Sequence, residues 1–125
     1  MRNHLKSLVV AGIMSLFALP ALAAELIMVE QPGCAYCRQW DREIAPIYPK
    51  TEEAALAPLR RVQLKDIKRS GLAIARPVNF TPTFLLVDES GELARLEGYP
   101  GEDFFWGLLA MMLEAHLGFE RDHGG

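Results

Sequence analysis

Cysteine and histidine are scarce in this chain. Its 125 residues hold two cysteines, Cys34 and Cys37, and three histidines, His4, His116 and His123. One pair of thiols is half of a structural zinc site, which takes a second pair or histidines at set spacing. Covalent haem attachment needs histidine directly after the second cysteine, and Arg38 stands there. A purely structural bridge across two intervening residues would close a very small loop, where loop closure stabilises least. Blocks of like charge, internal repeats, low-complexity tracts and an interdomain linker are also lacking, so nothing marks a second domain.

Long apolar runs are missing too. The longest, "LVVAGIMSLFALP", is shorter than the ~20 residues a membrane span needs. It follows the basic residues Arg2, His4 and Lys6, ends at Pro20, and leads into Ala21 and Ala23, a small-x-small cleavage pattern. The expected organisation is therefore a secretory signal peptide over residues 1–23 and one domain over 24–125, with a cut after Ala24 as a near alternative. Removing Arg2 and Lys6 with the leader takes the formal charge from −3 to −5. That sign argues against nucleic acid or an anionic membrane surface as a partner.

What is present is a change of period. "ELIMVE" (25–30) is a short apolar run closed by Pro32-Gly33 and reads as a buried strand. From residue 34 to about 48, Cys37, Trp40, Ile44 and Tyr48 recur at helical spacing, with Pro46 and Pro49 to bend or end the helix. Thr51 suits the N-cap of a short helical turn with two glutamates behind it. "RRVQLKD" alternates as a strand, and residues 66–75 form a weaker helix broken by Gly71. Residues 84–87 and the stretch holding Leu93 and Leu96 form an antiparallel hairpin around "DESGE". The last helix runs from 101 to about 117 and stops at Gly118. On it Phe104, Leu108, Met111 or Met112 and Ala115 share a face, while Phe105, Trp106, Leu109 and Leu113 spread round the rest. So wide an apolar arc serves mainly as core and leaves room for an exposed patch that docks a partner. The order, strand-helix-strand-helix-strand-strand-helix, specifies an α/β fold with a mixed sheet.

Position decides the chemistry of the cysteine pair. A thiol in the first turn of a helix faces free backbone N–H groups and the positive end of the helix dipole. Both favour thiolate, and such sites lower a cysteine pKa into a range of roughly 3.5–7.5. Thiolate is the attacking species in disulfide exchange. Cys34, exposed at the turn, is expected to attack, and Cys37, one turn further in, to resolve. Ala35 and Tyr36 between them bring no charge, and Arg38 reads as a solvated helix face. A Cu(I) site between the two soft thiolates, or a redox-silent binding module, are the rival readings.

Two features together, CAYC opening the first long helix and Thr81-Pro82 before the hairpin, resemble the thioredoxin family. The resemblance covers nearly all of the chain beyond the leader. It implies a thioredoxin-like fold with a mixed four-stranded sheet flanked by helices, and no cofactor or metal beyond a redox-active Cys34–Cys37 disulfide. By the same resemblance Pro82 is cis and packs near Cys34. The Thr81 backbone binds a partner segment, with Tyr36 and Gly98 bordering the same groove. The sequence departs from thioredoxin in having Ala-Tyr in place of Gly-Pro between the cysteines. It also has Met28 where a buried acid stands six residues before the first cysteine; Glu30 is expected to be solvated. The opening "EQPGCAYCRQWDREIAPIYP" is similar to the periplasmic thioredoxins of bacterial sulfur-oxidation gene clusters. That similarity implies a periplasmic protein-disulfide reductase, acting as a monomer on the cysteine-bearing carrier protein of thiosulfate oxidation. It further implies a membrane thiol-electron transporter as donor. A disulfide isomerase or an oxidant is the alternative within the same chemistry.

Overall fold

A computed structural model describes residues 11–15 and 23–121 of the chain. The leader expected over residues 1–23 lies outside the described residues, apart from 11–15 and Ala23. Four strands, β1 (Glu25–Glu30), β2 (Leu59–Gln63), β3 (Thr83–Asp88) and β4 (Gly91–Glu97), form one sheet in the order β2-β1-β3-β4. β1 and β2 are parallel, as a strand-helix-strand crossover requires, and the other two pairings are antiparallel. The helices are α1 (Ala35–Glu43), α2 (Glu52–Leu56) and α3 (Glu102–Leu117).

The central strands read as unbroken apolar runs because both their faces are covered. Leu26, Met28, Phe84 and Leu86 point into the main core, which they share with residues of α1 and α3. Ile27, Val29, Leu85 and Val87 point the other way, under the connection that carries Leu64, Ile67, Leu72, Ile74 and Val78. A register shift between Leu86 and Val87 adds one residue to β4. It lets both Leu93 and Leu96, an odd number of residues apart, reach the main core.

Two expectations need correction. The helix expected to reach residue 48 stops at Glu43, because Pro46 has no N–H to donate and disfavours helical backbone at Ala45. A tight turn places Tyr48 in the core instead, with its N–H on the Ile44 carbonyl at 2.9 Å and its hydroxyl on the Ala57 carbonyl at 2.6 Å. The weak helix expected over 66–75 is a 3₁₀ segment, Leu64–Arg69, closed when the Ser70 hydroxyl donates to the Ile67 carbonyl. α3 buries Phe105, Leu109, Ala110 and Leu113 and leaves the face through Phe104, Leu108 and Met111 exposed, the patch that so wide an apolar arc leaves room for. Gly118, at φ 65°, ends α3 in the left-handed conformation that suits glycine.

Candidate active site

After β1 the chain must reverse within a few residues to enter α1. Gly33 makes this possible with φ 78°, a backbone angle that strains any residue bearing a Cβ. Cys34 is then the N-cap of α1, and its Sγ accepts the Cys37 N–H at 3.1 Å, the position a serine or aspartate oxygen takes in an ordinary cap. Cys34 and Cys37 are joined by a disulfide, with Cα atoms 5.2 Å apart. The first turn of α1 carries no acid, so no like charge opposes a thiolate there. Arg38 is exposed.

Cys34 was expected at an open turn, but it is 9% exposed and Cys37 4%. Both sulfur-bearing residues belong to the main core cluster. Cys34 is thus the more accessible of two largely buried residues.

The chain brings the other candidate residues to the same end of the sheet. The Thr81–Pro82 peptide bond is cis, and Pro82 is buried. The Gln31 amide donates to Thr81 Oγ1 at 2.9 Å, tying the loop that precedes Cys34 to the segment that precedes β3. The Gly98 N–H donates to the Pro82 carbonyl at 2.7 Å. Thr81, Gly98 and Tyr36 meet around an open groove of about 340 Å³, whose remaining walls are Phe80 and Glu97. Sequence reasoning missed Phe80 and Glu97. Phe80 is the one aromatic in the stretch "PVNFTP", a signal that marks the residue without placing it in the groove.

Beneath the disulfide the site is aromatic and apolar. Trp40 is fully buried, 5.4 Å from Phe84 and 5.8 Å from Phe105 between ring centroids, and its indole N–H has no partner among the described residues. The Arg61 guanidinium lies 5.4 Å above the Trp40 ring and forms ion pairs with Glu30 at 2.7 Å and Asp41 at 2.6 Å. Glu30, expected to be solvated, is therefore half-buried and paired, because parallel pairing with β2 puts Arg61 within its reach. Met28 is fully buried, so the position six residues before Cys34 holds no acid. Tyr99, next to Gly98, donates its hydroxyl to Glu43 Oε2 at 2.7 Å, and Gln39 donates to Glu43 Oε1 at 2.8 Å. These hydrogen bonds, Tyr99 first, hold the Glu43 carboxyl below its ordinary range, while burial and then the Glu43 bond push the Tyr99 hydroxyl up.

A disulfide capping the helix after the first strand, with a cis proline and a groove at the same sheet end, defines a thioredoxin-type site. The chain belongs to the thioredoxin-like family: the model of the thioredoxin-like domain matches residues 23–112. Among solved structures it is similar to the periplasmic thioredoxin SoxS from Paracoccus pantotrophus in its reduced form. The two are 57% identical, the match covers 72% of this chain and 95% of that chain, and the TM-score is 0.69. The fold alone is shared with a thioredoxin-like protein from Clostridium perfringens, 18% identical over 93% of this chain and 99% of that one, TM-score 0.54. It is shared as well with the Malassezia sympodialis thioredoxin Mala s 13, 14% identical over 74% and 76%, TM-score 0.51. A search of curated proteins gives no match.

Proposed function

We propose that the protein is an exported thiol–disulfide oxidoreductase. It works as a monomer and reduces disulfides or persulfide adducts on a cysteine-bearing periplasmic partner such as the carrier protein of thiosulfate oxidation. The observation that carries the reading is the Cys34–Cys37 disulfide at the start of α1, beside an open groove. In the reduced protein, Cys34 thiolate attacks one sulfur of the partner's disulfide. That bond breaks, a partner thiolate leaves, and a mixed disulfide to Cys34 forms. Cys37, deprotonated, attacks Cys34 Sγ, expels the second partner thiolate and closes the internal disulfide. Two electrons pass to the partner, whose thiolates take up two protons. With a persulfide, Cys34 takes the terminal sulfur, the partner leaves as thiolate, and Cys37 then expels hydrosulfide. A dithiol on a membrane thiol-electron transporter restores the two electrons.

Export is supported by the leader pattern and by 57% identity to a periplasmic thioredoxin. A cut after Ala23 keeps Ala24, which is buried in the main core. The test is trapping in the periplasm. Cys37→Ser accumulates a mixed disulfide with a partner on non-reducing gels, and Cys34→Ser does not. Equal trapping by both variants overturns the assignment of roles.

A further inference from the structure

Two large aromatic side chains stand in solvent on the walls of the groove: Tyr36 is 60% exposed and Phe80 59%. Packing does not account for Phe80. Its backbone is held by its neighbours, since Thr83, fully buried, donates its hydroxyl to the Phe80 carbonyl at 2.7 Å, and Gln31 holds Thr81. The ring is left outside the core by a rigid support. Thr81 lines the same groove, and its N–H and carbonyl make no backbone hydrogen bond to another described residue. One charged group reaches the groove, Glu97, and its carboxylate is neutralised by Arg76 at 2.7 Å and Arg95 at 3.5 Å.

Resting on the oxidoreductase reading, we propose that Phe80 is a specificity-determining residue. With Tyr36 it clamps an extended, uncharged polypeptide segment on either side of the partner's cysteine. The occupant follows from the walls. Free backbone groups at Thr81 pair with an extended main chain. Aromatic faces give contact area at little entropic cost. A neutral groove offers no counter-charge to an acidic or basic flank, which would lose water without compensation. The clamp lies beside the disulfide, so it selects protein disulfides over small ones, which are too short to reach both walls.

The experiment uses the mature protein recycled by excess dithiothreitol. Three probes are compared: a symmetrical peptide disulfide with serine and alanine around the cysteine, the same peptide with glutamate on both sides, and hydroxyethyl disulfide. Phe80→Ala should lower kcat/KM on the uncharged peptide by about tenfold, the scale of one aromatic contact. Hydroxyethyl disulfide should be reduced within twofold of the parent rate, Phe80→Tyr should restore the peptide rate, and the glutamate peptide should be poor with every form. The proposal is overturned if Phe80→Ala reduces the uncharged peptide as well as the parent does. It is equally overturned if Phe80→Ala loses both substrates alike, for Phe80 would then support the disulfide and not the partner. A parent that reduces none of the three probes removes the oxidoreductase reading itself, and the clamp with it.

Discussion

At the scale of single residues, the pair Tyr99 and Glu43 makes a contact whose strength depends on pH. The Tyr99 hydroxyl and the Gln39 amide donate to the same carboxylate, so the ionised form of Glu43 is favoured in the folded protein. A carboxylate with a depressed folded pKa contributes stability that is present above its unfolded value, about 4.3, and is lost as pH falls through the folded value. Tyr99 adds the opposite limit. Its folded pKa is raised, so its contribution is present below the unfolded value of about 10 and fades as pH rises beyond it. Tyr99→Phe removes the larger cause of the Glu43 shift. Melting temperature followed from pH 2 to 6 should fall less below about pH 4.3 in the variant than in the parent, because less of the Glu43 stabilisation is there to be lost. An unchanged acid limb would mean that the hydrogen bond contributes nothing to the titration.

At the scale of elements, α2 is the plainest case of a helix held by its start. It spans five residues, too few for propensity to sustain it, and none of its residues is buried. Thr51 Oγ1 accepts the Ala54 N–H at 3.1 Å and donates to the Tyr48 carbonyl at 2.6 Å, joining the cap to the turn that seats Tyr48 in the core. Thr51→Ala should therefore lower stability by about 1 kcal/mol, read as a drop in urea midpoint at unchanged slope. Thr51 was legible as a cap from the sequence, as were β1 and both ends of α3, because the signals lie within a few residues of each other. α1 was read too long because Ile44 and Tyr48 keep helical spacing although a turn, not a helix, delivers Tyr48. The apolar arc of α3 reads in the sequence as wider than one sheet covers, and only the sheet decides which part of it is buried. Of the site, CAYC and Thr-Pro could be seen in the chain. Phe80 and Glu97 could not be placed in the groove, since nothing local says that residues more than forty positions from Tyr36 close the same hollow.

At the scale of the whole molecule, folding and redox chemistry are linked. The disulfide and dithiol forms share one fold if reduction leaves the core intact, and the reduced form of SoxS, which this chain resembles, is itself folded. The difference in folding stability between the two forms then equals the difference in reduction potential between the folded site and the unfolded chain. A protein that stabilises its dithiol form is a strong oxidant, and one that stabilises its disulfide is a reductant. In this chain the helix start and the Cys37 N–H favour a Cys34 thiolate, which works toward the oxidant. Closure of a four-residue loop works the other way, by about 2 kcal/mol in the chain-entropy model. The aromatic core under Cys37, which has no acid at position 28, adds a cost to any second charge. The reductase reading requires the second and third effects to outweigh the first. Urea unfolding of the mature protein, oxidised and then in excess dithiothreitol, should place the oxidised midpoint higher, with the same slope in both states. A higher midpoint for the reduced protein would make the molecule an oxidant, with electrons flowing from partner to Cys34–Cys37.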